Sequence, residues 1–184
     1  MVERARDKVD KYPAGWRVLH WVMAAMVLTL IPVGLWMVSR AEADMWGELT
    51  DTLYSWHKAI GFSVLLLMLP RIYMRVRHTR PPYPDAMSSQ LQRVASSVHR
   101  LFYVFLLLTP LFGWAGVTAF PALDTVGGYK LPAMLFVPEN GELAETLFEI
   151  HGWLAITLGA LAAVHILGAL RHAIGKDGMI RRML

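Results

Sequence analysis

Four histidines lie inside apolar stretches of the sequence, where a polar side chain is costly unless it has a partner. They are His20, His57, His151 and His165. His151 and His165 share one stretch and are fourteen positions apart, a spacing that on an α-helix returns to nearly the same face about 21 Å further along the axis. Two imidazoles on one face predict two stacked metal centres, provided that histidines on other helices match their depths.

The positions of these histidines depend on four apolar stretches, each long enough to cross a bilayer as a helix of about 20 residues. The chain has 184 residues, of which 55% are hydrophobic, and its mean hydropathy is +0.41. The stretches run approximately over 16–38, 54–74, 98–119 and 149–171. We therefore predict an all-α fold, a four-helix transmembrane bundle that forms a single domain over residues 1–184.

Basic residues are distributed unevenly between the two sides of this predicted bundle. The side with both termini carries fifteen of the eighteen, namely Arg4, Arg6, Lys8, Lys11, Arg17, Arg71, Arg75, Arg77, Arg80, Arg93, Arg100, Arg171, Lys176, Arg181 and Arg182. The other side carries Arg40, Lys58 and Lys130 together with nine acidic residues. Because basic loops stay in the cytoplasm, we predict that both termini are cytoplasmic. The net charge of +4 follows from this topology and does not indicate nucleic-acid binding.

The sequence contains no cysteine, which limits the cofactors that it can bind. Iron–sulfur clusters and haem attached through a C-x-x-C-H motif are both excluded. A second pattern, Ala41-Glu42-Ala43 after an apolar run, imitates a secretory cleavage site. That run is long enough to span a membrane, so we predict that the first span is retained.

The predicted topology sorts the four histidines into two pairs by depth. His57 and His151 lie about two to three residues inside the outer ends of their spans. His20 and His165 lie about four and six residues inside the inner ends. At 1.5 Å per residue, the depths within each pair agree to about 3 Å. Each pair therefore offers two imidazoles at one level from two different helices.

Each pair suits haem iron better than zinc. Zinc in proteins usually has three or four nitrogen, sulfur or carboxylate ligands, and neither level has a carboxylate within the spans. Haem iron needs only two axial imidazoles. We therefore predict two b-type haems whose irons are bound by His20, His57, His151 and His165. The alternative is that each histidine only hydrogen-bonds a neighbouring helix, which leaves the matching of depths to chance.

Small residues and arginines are available for the other parts of a haem. Small residues of the fourth span could make room for the macrocycle, as could Gly61, one turn beyond His57. Those in the fourth span are Gly152, Ala155, Gly159, Ala162 and Ala163. Arginines near the ends of the spans could pair with the propionates.

Three further histidines lie at the inner edge of the predicted bundle. His99 and His172 have two interpretations of equal weight: residues of the membrane interface, or proton donors and hydrogen-bond partners of a quinone carbonyl beside the inner haem. His78 belongs to the connection over residues 75–97. We predict that this connection is irregular and that His78 is solvated, because the connection contains Pro81-Pro82-Tyr83-Pro84 and many arginines.

Five short motifs, in order along essentially the whole chain, resemble the bacterial cytochrome b561 family. They are Leu19-His20-Trp21, the W-H-K-x-x-G pattern from Trp56 to Gly61, His99-Arg100-Leu101, Glu149-Ile150-His151 and Ala163-Val164-His165. The resemblance implies a four-helix bundle in the bacterial inner membrane with two b haems. It implies that His20 and His165 hold the inner haem. It assigns His57 and His151 to the outer haem, and it implies ubiquinone as an electron partner.

We predict an electron-transfer function, in which a dihaem b-type membrane cytochrome carries single electrons between a periplasmic-side donor and ubiquinone. The resemblance makes superoxide a candidate donor, because at least one family member oxidises it at the periplasmic haem. An alternative is a membrane-anchoring cytochrome b subunit that links a partner dehydrogenase or hydrogenase to the quinone pool. A third, non-redox interpretation is a haem-free structural or transport bundle, which requires the matched depths to be a coincidence.

The outer side bears on the choice of donor. Arg40, Lys58 and Lys130 are candidates for a local positive mouth that would attract superoxide, whereas the nine acidic residues favour docking of a redox partner protein. The connection over 120–148 is the longest, at about 29 residues. Loops of this length are often functional, so we predict a small helix or lid over the outer face.

Overall fold

Long α-helices account for most of the computed structural model, which describes residues 11–79, 82–83, 87–175 and 178–184. The helices are α1 (Ala14–Glu42), α2 (Glu48–Arg77), α3 (Ser89–Ala119) and α4 (Gly141–Ile174). Each contains an apolar window long enough to cross a membrane. The part of the chain described has no strand, which confirms the predicted all-α fold with four helices able to span a membrane.

Every helix is longer than the apolar stretch from which it was predicted, because polar turns extend it at the ends. α4, for example, begins at Gly141 rather than near residue 149. The side chain of Asn140 accepts a hydrogen bond from the Leu143 amide (2.9 Å), and Glu142 lies in the first turn. Both features stabilise a helix start, so the helix continues beyond the stretch that is apolar enough for the hydrocarbon.

The connection between α2 and α3 is shorter than predicted. The expectation of irregular chain over 75–97 was wrong at both ends, since α2 continues to Arg77 and α3 begins at Ser89. Charged turns outside the apolar stretches continue as helix here. Of the predicted proline run, Pro81 and Pro84 lie outside the described residues, as do residues 1–10 of the N-terminal segment.

The four helices surround one apolar core. α1 packs on α2, α2 on α3 and α3 on α4, whereas α1 approaches α4 at only a few positions. Within the described residues α2 and α4 make no close backbone contact, so they lie across the diagonal of the bundle. Buried side chains from all four helices fill the centre: Met23, Val27, Val64, Met68, Leu106 and Leu158. Large apolar side chains on outward faces, such as Leu66 and Leu167, are exposed, as expected of surfaces that contact lipid.

Both ends of the described chain meet at one end of the bundle, here called the termini end. The Tyr12 amide donates to the carbonyl of Arg182 (3.1 Å), and Trp21 Nε1 donates to the carbonyl of Met183 (2.8 Å). These contacts hold residues 178–184 against the start of α1. The other end of the bundle, where α1 ends and α4 begins, is called the opposite end.

The connection between α3 and α4 covers part of the opposite end. Lys130 pairs with Asp124 (3.3 Å) inside this connection, and Trp114 Nε1 of α3 donates to the carbonyl of Pro132 (2.7 Å). The small helix that was predicted here is present as one 3-10 turn, Val126–Gly128. The connection is therefore folded on itself and fastened to α3.

Candidate functional site

His57 on α2 and His151 on α4 face each other towards the opposite end of the bundle. Their ring centroids are 6.0 Å apart and their planes are inclined by 83°. An imidazole nitrogen binds a first-row metal at about 2.0 Å and the ring centre lies about 1.2 Å beyond it, so imidazoles on opposite sides of one metal have centroids about 6.4 Å apart. The two rings are close to that separation, although their helices have no close backbone contact.

His20 on α1 and His165 on α4 form a second pair, nearer the termini end. Their ring centroids are 6.3 Å apart and their planes are inclined by 76°. Because α1 approaches α4 at only a few positions, these side chains reach each other across an open seam of the bundle. The structure thus brings together the same two pairs of histidines that the depth argument predicted.

Each helix has two residues, fourteen positions apart, that lie at two depths in the bundle. These depths are here called the His57 level and the His20 level. One residue of each helix belongs to each level. The residues of the His57 level are Gly34 on α1, His57 on α2, Gly113 on α3 and His151 on α4. The residues of the His20 level, in the same order of helices, are His20, Arg71, His99 and His165. Fourteen residues of α-helix rise about 21 Å, so the two levels are separated by about that distance.

Two glycines contact the imidazoles at the His57 level. A Cβ atom built on Gly34 would lie 3.0 Å from Cε1 of His57, and one built on Gly113 would lie 2.9 Å from Nδ1 of His151. Both contacts are too short for ordinary packing, so only glycine lets α1 and α3 approach the rings this closely. Sequence analysis missed these two residues, because glycine is common in membrane helices for packing reasons alone.

Two of the predicted small residues, each close in sequence to a histidine of the His57 level, have open space around them. A Cβ atom added at Gly61 or Gly152 would meet no atom within 4 Å. Gly159, by contrast, would place its Cβ 3.6 Å from Ile31 of α1, and Ala162 is buried. Gly61 and Gly152 therefore leave room for a bulky ligand, whereas Gly159 and Ala162 serve the packing of helices.

Hydrogen bonding fixes the protonation of one imidazole at the His57 level. Nδ1 of His151 lies 2.7 Å from the carbonyl oxygen of Thr109. A carbonyl oxygen only accepts, so Nδ1 carries the proton and Nε2 carries the lone pair that a metal needs. Nδ1 of His57 is buried and has no hydrogen-bond partner among the described residues. The protein therefore leaves the tautomer of His57 free to follow the ligand that it binds.

A half-buried arginine distinguishes the His20 level. Nη2 of Arg71 lies 3.2 Å from Nδ1 of His20, and Tyr103 is within hydrogen-bonding reach of the same guanidinium. Arg71 makes no ion pair with a described residue. An unpaired arginine inside a membrane span is unusual and commonly functional. Because a guanidinium only donates, this contact requires His20 Nδ1 to accept, whereas metal binding through Nε2 requires Nδ1 to carry the proton.

His99 is closer to the second pair than an edge position would imply. Its ring centroid is 5.4 Å from that of His165. The ring of Phe102, on the same helix as His99, has its centroid 5.3 Å from that of His165. Nδ1 of His99 donates to the carbonyl of Ala95 (2.6 Å), so Nε2 carries a lone pair. His99 is exposed at this position. The structure therefore places an accessible imidazole directly beside His165.

An apolar layer lies midway between the two levels. Its members are Val27, Val64, Leu106 and Leu158, one from each helix. Each lies seven positions after one level and seven positions before the other along its own helix. All four side chains are buried and belong to one cluster. Such a layer holds no polar group that could carry water or an ion across the bundle.

The remaining predicted residues lie away from the two levels. His172 is in the last turn of α4. His78 is exposed, as predicted, and its Nδ1 contacts the carbonyl of Met74 (3.2 Å).

The three basic residues at the opposite end each have a different partner. Arg40 donates to Thr50 (2.8 Å) and Lys58 donates to the carbonyl of Ala122 (2.8 Å). Lys130 is the residue already described as paired with Asp124. The structure thus holds these cations in three separate contacts and does not join them to one another.

The donor set of each level suits haem better than a bare metal ion. The described chain has no group of three or more histidine, aspartate or glutamate side chains that could hold a metal ion, and a zinc site needs three or four such ligands. Haem iron needs two axial ligands and a flat space between helices. The facing imidazoles meet the first requirement, and the open space at Gly61 and Gly152 is compatible with the second.

Known proteins with similar sequences support this interpretation. Residues 11–184 match the family described as prokaryotic cytochrome b561. The chain is 30% identical over 178 residues to "Cytochrome b561 homolog 2" of Escherichia coli (strain K12), which covers 95% of this chain and 92% of that protein. It is 26% identical over 175 residues to "Probable superoxide oxidase CybB" of Yersinia pestis, with 90% and 91% covered. "Cytochrome b561 homolog 1" of Escherichia coli (strain K12) is 26% identical over 171 residues, with 90% and 92% covered.

The match to the family covers nearly the whole chain. The chain therefore belongs to the prokaryotic cytochrome b561 family. It is a multi-pass membrane cytochrome, and the cofactor implied by the family is b-type haem.

Proposed function

We propose that this member of the prokaryotic cytochrome b561 family holds two b-type haems and carries single electrons across the membrane. His57 and His151 bind one iron in this proposal. His20 and His165 bind the other. The observation that carries it is the separation within the two pairs, 6.0 and 6.3 Å between ring centroids. A bound haem supplies a one-electron couple between ferric and ferrous iron.

Other residues orient the ligands and separate the two levels. The Thr109 carbonyl holds the ring of His151 and keeps its proton on Nδ1. Gly34 and Gly113 allow α1 and α3 to close on the imidazoles. The apolar layer between the levels excludes water, so the bundle offers no aqueous path for protons or ions between its two ends.

Arg71 is the candidate partner for a haem propionate at the His20 level. It is a half-buried cation beside His20, and its charge lacks an ion-pair partner within the described residues. A guanidinium binds a carboxylate through two parallel hydrogen bonds. Pairing with a propionate would also release Nδ1 of His20 from Arg71, as coordination through Nε2 requires.

Replacing Arg71 by methionine is expected to lower the reduction potential of the haem at the His20 level by about 50–100 mV. Two unit charges about 8 Å apart interact by about 2 kcal/mol at an effective dielectric constant of about 20, and for one electron about 1.4 kcal/mol corresponds to about 59 mV. An optical redox titration measures the shift. Arg77→Gln, two turns further along α2, is the matched control and should shift the potential much less. Equal shifts in the two variants would contradict the role of Arg71.

We place both termini in the cytoplasm and the protein in the bacterial inner membrane. The positions in the sequence assign fifteen of the eighteen basic residues to the side with both termini, and basic segments are retained in the cytoplasm. The His57 level then faces the periplasm. The His20 level, with His99 beside it, faces the cytoplasm.

Ubiquinone is the proposed electron partner at the termini end. His99 is exposed and lies 5.4 Å from His165 between ring centroids. Its Nε2 carries a lone pair and can accept a proton from a quinol, or donate one after protonation. His172, two turns beyond His165, is a second candidate on the same side. Reduction of ubiquinone to ubiquinol takes two electrons and two protons, so the protein would deliver its single electrons in two steps.

Superoxide is the proposed donor at the opposite end. The support is the similarity to the protein named as a probable superoxide oxidase. Each superoxide anion would give up one electron and leave as dioxygen. Lys58 is adjacent in sequence to His57, and its ammonium group donates to the carbonyl of Ala122 (2.8 Å), so one positive charge remains near the His57 level.

A second candidate is a membrane-anchoring subunit that accepts electrons from a protein partner. The observation that favours it is the acidic character of the opposite end, where a cleft beside Trp56 is lined by Glu48 and Asp51. An acidic surface attracts a basic partner and repels an anion such as superoxide. Copurification with a soluble redox protein would favour this function.

Stopped-flow spectroscopy of the purified protein tests the proposed function. Superoxide should reduce the haems on the timescale of stopped-flow mixing, and added ubiquinone should reoxidise them. In His99→Gln we expect reduction by superoxide to be unchanged and reoxidation by ubiquinone to slow by about 100-fold, as for loss of one proton-transfer group. His78→Gln, which changes an exposed histidine outside the two levels, is the control. Haems that react with neither reagent would contradict the proposal.

A further inference from the structure

A cleft lined by two arginines lies beside α3 and extends from the depth of the His20 level, at Arg100, towards the termini end of the bundle. It has a volume of about 380 Å³. Its lining residues are Tyr83, Ser89, Gln92, Arg93, Ser96 and Arg100, and we call it the arginine cleft. The proposed electron path uses none of these side chains.

The arginine cleft carries positive charge without a visible counter-charge. Arg93 makes no hydrogen bond or ion pair with a described residue, and Arg100 uses only Nε, which donates to the carbonyl of Ser96 (3.4 Å). Among the residues that the structure describes, no carboxylate lines the cleft. Asp85, the acidic residue nearest in sequence, lies outside the described residues. Two guanidinium groups with free donors therefore face the same small space.

Contacts around the cleft fix its walls. The hydroxyl groups of Tyr83 and Ser96 are hydrogen-bonded (3.1 Å), and Gln92 Nε2 donates to the carbonyl of Met87 (2.8 Å). Arg182 donates to the carbonyl of Pro82 (2.6 Å) and so fastens the residue before Tyr83. The cleft is formed by the fold itself and does not need a ligand to assemble it.

One end of the cleft, at Arg93, lies at the depth of arginines on two other helices. Arg93 lies six residues from His99, Arg77 six residues from Arg71, and Arg171 six residues from His165, each towards the termini end. At 1.5 Å per residue, all three lie about 9 Å beyond the His20 level. Arginines at one depth on several spans are typical of the headgroup layer of a bilayer.

Apolar side chains of α3 continue from the cleft towards the centre of the membrane. Leu101 and Val104, at and just above the depth of Arg100, are exposed at 44% and 48%. A lipid whose headgroup occupied the cleft could lay its acyl chains along these side chains. A soluble phosphate ion would gain nothing from them.

We propose that the arginine cleft binds the phosphodiester headgroup of an anionic phospholipid in the leaflet at the termini end. The guanidinium groups of Arg93 and Arg100 bind the phosphate oxygens through paired hydrogen bonds. The Ser89 hydroxyl is a further donor. Basic pockets between membrane helices on this side of a bilayer have the chemistry that such headgroups require. The proposal does not depend on the haem ligands or on the electron donor.

Native mass spectrometry of the delipidated full chain, titrated with phosphatidylglycerol in an uncharged detergent, tests this proposal. We expect one tightly bound lipid, held about tenfold more weakly in an Arg93→Gln, Arg100→Gln variant. An Arg77→Gln, Arg171→Gln variant removes two positive charges outside the cleft, both at the depth of Arg93, and should bind the lipid as the unaltered chain does. If both variants lost affinity for the lipid equally, the proposed site would be contradicted, because the lipid would then be attracted to basic surface in general.

A second arm separates the lipid from free phosphate. Inorganic phosphate, added at concentrations up to those that saturate a weak anion site, should not displace the bound phosphatidylglycerol. Displacement would show a site for soluble phosphate and overturn the assignment to lipid. If the glutamine variant does not fold, an Arg93→Lys, Arg100→Lys variant keeps the charge and removes the paired hydrogen bonds. It should bind the lipid several-fold more weakly, and unchanged binding would contradict the proposal.

Discussion

A variant with His151 replaced by alanine is expected to retain about one haem per chain where the unaltered protein has about two. The ring of His57 would lose the imidazole that faces it at 6.0 Å, and an iron with one protein ligand is held weakly. The pair at the His20 level lies about 21 Å away and should keep its haem. A pyridine haemochrome assay against protein concentration measures the ratio.

The same assay gives a specific pattern across a set of variants. His57→Ala should resemble His151→Ala, whereas His20→Ala and His165→Ala should lose the other haem. A variant with both His151 and His165 replaced should contain almost none. His78→Ala is the matched control and should keep both haems. Retention of both haems in the doubly replaced variant would contradict the proposed ligands and leave only the membrane topology.

Sequence reasoning found the histidines because polar side chains in apolar spans are conspicuous. The fourteen-residue repeat was visible only on α4, where both levels are marked by imidazoles, His151 and His165. On α2 the same spacing joins His57 to Arg71, and the arginine had been counted among the basic residues of the inner side. The partner of His20 on α1 is Gly34, which has no polar group. The same fourteen-residue spacing was therefore not recognised on α1 and α2, because the residues at the two levels of these helices differ in type.

The ends of the helices were predicted less well than their centres, for a physical reason. The apolar stretches mark the part of each helix that fits the hydrocarbon, about 30 Å thick. The backbone continues to form helical hydrogen bonds in the polar layer, where capping residues such as Asn140 decide the first turn. The fold and the paired levels follow from hydrophobicity and depth, whereas the ends follow from local hydrogen bonds.

Replacing Gly113 by valine is expected to remove the haem at the His57 level and leave the haem at the His20 level. A Cβ atom at this position would lie 2.9 Å from Nδ1 of His151, so the ring must turn or α3 must move away from α4. Turning the ring would also break the hydrogen bond to the Thr109 carbonyl (2.7 Å), which sets the tautomer. Overpacking of this kind typically costs about 1–3 kcal/mol of folding free energy. The haem ratio and the redox titration together show which haem is lost.

Gly159→Ala is the control for this prediction, because its Cβ would meet Ile31 at an ordinary distance of 3.6 Å. It lies between the two levels on α4 and should keep both haems. Gly34→Ala is a second test, since its Cβ would be 3.0 Å from the ring of His57, and we expect a partial loss of the same haem. If Gly113→Val kept both haems with unchanged potentials, the imidazole of His151 would not be held between α3 and a ligand. The close approach of the two helices would then be a matter of packing alone.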